Sequence, residues 1–316
     1  MRISELIPTP SVAQDHGEKS KYEVIGARWP SIERRGSMRR SRDSFRTAIQ
    51  KQTFRAIVFD YDGTLCSSQR HDSPPPETVA VQLQKLVEAG VSIGIASGRG
   101  GSIQDKLRES LPKSCWPNVH LGLYNAGCIV DLATDPSESR RTSEFLSHVT
   151  RIVRRLKVLG VPIDKIRTTH PYQVSVRFQE GVQTESNWLV IADAMRQAGL
   201  DLDSVVRSKH SIDVLGEGVN KSHLVAHLIQ EFRIDPYEIL TIGDQGAWPG
   251  NDSSLLEHRF SLSVDLPSRR IDRGWNLAPA HKRDVDATLW YLQCLRPMGD
   301  GRFKLWLSDG DKIENQ

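Results

Sequence analysis

The sequence predicts an α/β protein: a parallel sheet that carries its chemistry at the carboxyl ends of its strands, with a second, α+β domain inserted into the chain. Three observations predict it. Short apolar runs rich in β-branched residues recur at Phe54–Phe59, Val91–Ala96 and Ile239–Ile242, and each ends in polar or acidic residues. Segments with helical apolar spacing accompany them. Between the second and third runs the chain is far longer than one crossover helix needs.

The first run, Phe54-Arg55-Ala56-Ile57-Val58-Phe59, reads as a buried strand, and Asp60-Tyr61-Asp62-Gly63-Thr64 follows it directly. Gly63 allows a sharp turn at the sheet edge where ligands of open α/β sheets bind. Two carboxylates two residues apart can divide phosphoryl transfer between them. One attacks phosphorus, the other handles the proton of the leaving and attacking oxygens, and both can meet one divalent cation. The same residues would also suit an Asx-rich turn with solvated acids. A helix is expected around Glu77–Ala89. The second strand ends at Ser97-Gly98-Arg99, where a hydroxyl and a following helix start can hold phosphate oxygens, although an ordinary Ser-Gly turn reads alike. Lys221 stands at the start of the helical stretch Asn220–Phe232, whose Leu224, Leu228 and Phe232 share a face. A cation there opposes the helix dipole, which points to an anionic partner. The third strand ends in Gly243-Asp244, with Asn251-Asp252 beyond it.

In this order, Asp60-x-Asp62-Gly-Thr, Ser97, Lys221 and Gly243-Asp244 with Asn251-Asp252 resemble the four motifs of haloacid-dehalogenase-superfamily phosphatases, over roughly residues 54–295. The resemblance implies a Rossmann-like parallel sheet, Mg²⁺ and an aspartyl-phosphate intermediate. By it, Asp60 corresponds to the nucleophile and Asp62 to the general acid/base, which also offers its backbone carbonyl to the metal. Ser97 and Lys221 would bind the transferred phosphoryl group. Asp244 corresponds to the acidic metal ligand, with Asn251 and Asp252 supporting the metal or orienting Lys221. Thr64, Gly98, Arg99, Asn125 and Trp248 complete the candidate substrate-binding set. A phosphate dianion repels a carboxylate nucleophile, so Mg²⁺ and Lys221 must neutralise charge before attack. An acidic, oxygen-lined site is the kind Mg²⁺ prefers.

Spacing locates the insertion. Thr64 and Ser97 are 33 positions apart, whereas Ser97 and Lys221 are 124 apart. In the resembled superfamily this is the place of the larger, C2-type cap of the Cof-like and sucrose-phosphatase-like branch. Tyr124-Asn125-Ala126-Gly127 is similar to the Asn-Gly-Ala segment at the entrance to that cap, with Ala and Gly exchanged. The boundaries expected are a flexible basic extension over 1–52, a catalytic core of 53–130 and 215–296, the cap over 131–214 and a tail over 297–316. Within the cap, helices are expected at Ser143–Leu159 and Ser186–Gln197, a half-exposed strand at Tyr172–Phe178, and two short strands within Ser204–Val214, interrupted at Lys209-His210. Such a cap closes over the site and reads the leaving group. Candidate readers are Arg99, His170, Tyr172, Arg177, Lys209 and His210, each of which also reads as a solvated surface residue. The resembled fourth motif runs Gly-Asp-x-x-Asn-Asp, and here the loop is four residues longer. Trp248 in that loop is expected to wall the substrate pocket by stacking on a sugar or base face, or else to pack under the loop.

Composition fits a two-domain chain: 316 residues, 38% hydrophobic, net charge +3. No apolar run approaches membrane-spanning length and no secretory hydrophobic stretch opens the sequence. Cys66, Cys115, Cys128 and Cys294 lack metal spacing, so a reducing cytoplasm is expected. The first fifty residues carry an arginine cluster at Arg34, Arg35, Arg39, Arg40, Arg42 and Arg46 and are read as mostly flexible, with one short helix before the first strand. Arg302–Leu307 reads as a strand after the core has ended. The absence of Gly-x-Ser-x-Gly, His-Glu-x-x-His, Cys-x-x-Cys and a nucleoside-triphosphate loop argues against serine esterase, zinc hydrolase and nucleotide kinase chemistry. The function expected is a Mg²⁺-dependent phosphomonoesterase acting on a small phosphorylated metabolite, with a sugar phosphate foremost. The alternatives are a phosphomutase, or a protein whose basic arm binds nucleic acid or a partner, which the interleaved Glu33 and Asp43 disfavour. Substrate identity and oligomeric state are not encoded in these motifs.

Overall fold

The structure, a computed structural model, describes residues 21, 32–70, 73–137 and 141–307. In chain order it runs α1 (Ile32–Lys51), β1 (Ala56–Asp60), α2 (Glu77–Glu88), β2 (Ser92–Ala96), α3 (Ser102–Ser110), β3 (Val119–Gly122) and β4 (Cys128–Asp131). Then follow α4 (Glu144–Val158), β5 (Ile163–Thr169), β6 (Gln173–Phe178), α5 (Thr184–Gln197), β7 (Val205–Arg207) and β8 (Ser211–Leu215). The chain closes with α6 (Ser222–Phe232), β9 (Ile239–Gln245), β10 (Ser261–Leu266), α7 (Asp284–Cys294), β11 (Leu295–Gly299) and β12 (Arg302–Leu305).

The main sheet has the order β10-β9-β1-β2-β3-β4 and is parallel except for the edge pair β3–β4. All five residues of β1 are buried, as its unbroken apolar run requires of a strand covered on both faces. Alternation divides them: Ile57 and Phe59 join the cluster that includes α2 and α7, while Ala56 and Val58 join Leu224, Val225 and Leu228 of α6. Register then does the positioning. Asp60 pairs with Ala96, so Ser97 emerges one residue beyond it, and Phe59 pairs with Ile242, so Gly243-Asp244 leaves the neighbouring strand at the same edge.

The inserted segment forms a four-stranded antiparallel sheet, β5-β6-β8-β7. Val174, Val176, Ile212 and Val214 face α4 and α5, burying Leu146, Val149, Val153, Ile191 and Met195 in a core of their own. The opposite face is polar. Strand β5 escaped the periodicity reading because its register slips between Ile163 and Lys165, which breaks the two-residue alternation, and because its remaining positions are largely charged or hydroxylated.

Two expectations about the ends are corrected. In place of one short helix, α1 spans 20 residues, and Met38, Phe45 and Ile49 along one of its faces enter the main core. The reading of residues 1–20 and 22–31 as flexible lies outside the described residues. The core does not end before residue 297 either. Hairpin β11–β12 sends Phe303 and Leu305 into it, with Phe303 and Phe54 exchanging backbone hydrogen bonds of 2.8 and 2.9 Å and their rings stacked 5.5 Å apart. Among the described residues no helix is long and apolar enough to cross a membrane.

Phe303 is fully buried. Phe303→Ala is therefore expected to destabilise the protein by about 3–5 kcal/mol, read as a lower urea midpoint; a loss within error would show that the hairpin is only loosely attached.

Candidate active site

At the carboxyl edge of the main sheet, Asp60 is buried and both its oxygens are engaged. Lys221 Nζ donates to Oδ1 at 2.5 Å and the Thr64 hydroxyl donates to Oδ2 at 3.2 Å. Lys221 precedes α6, which packs beneath β1 and β2, so the fold carries its ammonium to the strand ends from below. A second hydrogen bond of 2.6 Å joins it to Asp252 Oδ1. Asp252 Oδ2 accepts from the backbone N–H groups of Asp244 and Gln245 at 2.9 and 3.0 Å. Both oxygens of Asp252 are thus occupied in fixing Lys221 and the end of β9.

Glycine is required at two places around these acids. Gly63 has φ +84°, and a Cβ there would collide with the Asp244 carboxylate. A Cβ on Gly243 would lie 2.9 Å from Asp252 Oδ2. The carboxylates therefore lean directly against bare backbone.

Charge is concentrated where water is scarce. Burial pushes the Asp60 carboxyl up to about 7, the Asp252 charge adds to this, and Lys221 opposes it. Burial, with Asp252 and Asp60 beside it, holds Asp244 well above the usual carboxylate range. Burial also disfavours the charge of Asp252, but Lys221 and the Gln245 N–H outweigh it and keep that carboxyl below its ordinary value. For Lys221 burial favours the neutral amine, and the two flanking carboxylates overcome it, raising its pKa. Oxygens of Asp60, Asp244 and Asp252 lie within 4.8 Å of one another. Asn251 Oδ1, at the same place, is buried without a hydrogen-bond partner. Hard oxygen donors and surplus negative charge fit Mg²⁺.

Above these groups a cleft of about 310 Å³ separates the main sheet from the polar face of the inserted sheet. Asp62, Gly98, Arg99, Asp244 and Asn251 line it. Arg99 reaches across to Asp62 Oδ1 at 3.2 Å. Ser97 is fully buried below the cleft, and its Oγ accepts from Arg99 N–H at 3.0 Å. Of the candidate readers in the inserted segment, Arg177, Lys209 and His210 line the cleft. Lys209 Nζ stands 3.0 Å from Asp244 and 2.9 Å from Asp265. His170 and Tyr172 do not line it: His170 Nδ1 accepts from Ser143 N–H, and Tyr172 stacks on Tyr124 at 5.1 Å.

Three candidate binding residues are elsewhere. Thr64 serves Asp60, as above. Asn125 sits in the turn after β3, where Tyr124, Asn125 and Ala126 all have positive φ, and its Nδ2 donates to Gln173 Oε1 at 2.8 Å. It ties the two sheets together rather than lining the cleft. Trp248, expected either to wall the pocket or to pack under the loop, does not line the cleft. Its indole packs edge-on against Trp188 of α5, with ring centroids 5.1 Å apart. The longer fourth-motif loop is spent on that docking: Arg207 N–H in β7 donates to Pro249 O at 2.7 Å, and Asn251 N–H donates to Arg207 O at 2.9 Å. Sequence reasoning missed Gln173, whose Nε2 also donates to Gly98 O at 2.8 Å, because an amide in an alternating strand gives no sign of its distant partner. Lys165 and Arg167, also on the cleft, were missed together with β5.

The family model described as sucrose-6F-phosphate phosphohydrolase matches residues 54–266. Solved structures share the fold. A Thermoplasma acidophilum protein is similar at 14% identity and TM-score 0.56, over 76% of this chain and 97% of that one. A haloacid dehalogenase-like hydrolase from Bacteroides thetaiotaomicron is similar at 14% identity and TM-score 0.52, over 76% and 98%. An IMP-bound, N-terminally truncated IMP-nucleotidase from Plasmodium falciparum is similar at 12% and 0.53, over 70% and 67%. No curated protein matches the chain in sequence.

Removing the ammonium from Lys221 leaves two buried carboxylates without their cation. Lys221→Met is expected to cost about 3–5 kcal/mol near neutral pH. The sign with pH follows from proton uptake. Asp60 is already raised to about 7, and Lys221 is what holds it down, so with the cation gone its carboxyl moves further above the ordinary carboxylate range. The folded state then binds more protons than the unfolded one, so stability falls as pH rises. Urea unfolding should show a deficit smaller near about pH 5 than near about pH 8; a deficit independent of pH would refute this.

Proposed function

The chain belongs to the sucrose-6F-phosphate phosphohydrolase family, within the haloacid dehalogenase superfamily of phosphatases, and from that premise we propose a Mg²⁺-dependent phosphomonoesterase that acts on a small sugar phosphate through Asp60. The observation that supports this best is the convergence of Asp60, Asp244, Lys221 and Asp252 from four separate segments at one sheet edge, below a metabolite-sized cleft.

In this reading an Asp60 oxygen attacks phosphorus while the bond from phosphorus to the leaving oxygen breaks, and that oxygen takes a proton from the Asp62 carboxyl. Water then attacks the aspartyl phosphate. Asp62, now a carboxylate, takes the water's proton, releasing inorganic phosphate and restoring Asp60. Lys221 and Ser97 hold the phosphoryl oxygens, and Thr64 keeps the Asp60 carboxylate in one orientation. Asp60, the Asp62 carbonyl, Asp244 and Asn251 would hold Mg²⁺, which supplies charge neutralisation at the phosphate when bound. Asp252, with both oxygens occupied, would position Lys221 instead of contacting the cation.

We further propose a catalytic core of residues 53–130 and 215–296 that also takes in α1 and the β11–β12 hairpin, with 131–214 as the cap. The separate apolar clusters support this division. Four free thiols suit a reducing compartment such as the cytoplasm.

The test is release of phosphate from an aryl phosphate with and without Mg²⁺. Wild type should require the metal, and Asp60→Asn should lose at least about a thousandfold in kcat. Independently of turnover, saturating Mg²⁺ should raise the wild-type Tm by several degrees, an effect missing in Asp244→Asn. Metal-independent release, or none across a panel of phosphometabolites, would overturn the reading.

A further inference from the structure

The phosphoryl end of the cleft is filled by the groups above, but the opposite wall is not explained by them. That wall is the polar face of the β5-β6-β8-β7 sheet, and it is strongly cationic. Lys165 and Arg177 are direct cross-strand partners, Arg167 pairs with Ser175 next to them, and all three line the cleft. Like charges directly opposite on antiparallel strands repel, so the placement costs stability unless an anion compensates it. Among the described residues, none of the three has a hydrogen bond or an ion pair with a carboxylate.

Elsewhere in the cleft positive charge is matched: Arg99 by Asp62, and Lys209 by Asp244 and Asp265. On the cationic wall the carboxylate is Asp213, opposite Ser175 on β8. It is buried, and burial pushes its carboxyl up to about 6 against the pull of Ser175, Lys221, Ser211 and Arg177. Three exposed cations against one buried acid leave the wall positive. A leaving group made only of hydroxyls has no use for that charge. An oxyanion does, and two guanidinium forks with an ammonium suit a carboxylate or a phosphate.

Resting on the phosphatase reading above, we propose that the substrate is a phosphomonoester whose leaving group carries a second anionic group, a carboxylate or a phosphate, received by Lys165, Arg167 and Arg177. The cap would then select substrates by charge before shape.

The test uses the full chain with Mg²⁺ and three probes: sorbitol 6-phosphate, with an uncharged leaving group, 6-phosphogluconate, with a carboxylate, and fructose 1,6-bisphosphate, with a phosphate. At least one charged probe should exceed sorbitol 6-phosphate by about tenfold or more in kcat/KM, mostly through KM, and the advantage should shrink with added salt. In Arg167→Gln/Arg177→Gln the ratio of charged to uncharged probe should fall toward one. Which charged probe gains more identifies the second group. A wild type that treats the three alike or prefers the uncharged one, or a ratio unaltered in the double variant, would overturn the proposal. Aryl phosphate turnover in the same preparation separates the two failures: if it persists, the charge assignment alone is wrong, and if it is missing, the phosphatase reading falls first.

Discussion

A single buried ammonium holds the site together. Lys221 is nearly inaccessible to water and touches Asp60 and Asp252 at 2.5 and 2.6 Å. Three carboxylates cannot share that volume without a cation, since each pushes the others toward protonation. The ammonium allows Asp252 to stay charged, and Asp252 in turn receives the last N–H groups of β9. The end of a central strand is thereby shaped by the same charges that define the site. Structure and chemistry are not separable here.

The second constraint lies between the sheets. Gln173 bonds to Asn125 and to Gly98, β7 exchanges backbone hydrogen bonds with the loop at Pro249–Asn251, and Trp188 meets Trp248. Each of these contacts starts from a loop that leaves the main sheet at its reactive edge. The inserted domain is thus seated on the very loops that carry the site, and its polar face lines the cleft. The apolar residues of β6 and β8 turn away, under α4 and α5.

Strands β1, β2 and β9 were legible because a strand covered on both faces needs an unbroken apolar run, and the acids or hydroxyl at its end stand out against that run. Asp60, Ser97 and Asp244 could be read for the same reason, and Lys221 from its place at the start of a helical stretch. What sequence could not supply was partnership. Nothing around Gln173 or Arg207 names residues 42 or more positions away, and the bulge in β5 hid Lys165 and Arg167. Between the two placements open to Trp248 sequence could not choose, because proximity to Asp244 says nothing of direction; its indole meets Trp188 of α5. The helix α1 was underestimated because its arginines dominate its composition, while its buried contacts come from three widely spaced residues.

The clasp between Phe54 and Phe303 joins residues almost 250 positions apart, and β1, which starts beside Phe54, is flanked by β9 from the distal part of the chain. During synthesis β1 can pair early with β2, but its other neighbour, β9, and the Phe303 clasp exist only after the inserted segment has been made. The inserted domain, whose apolar core is built from residues within 145–214, faces no such delay and can fold first. The middle of the chain can thus be finished before the sheet that the beginning of the chain starts.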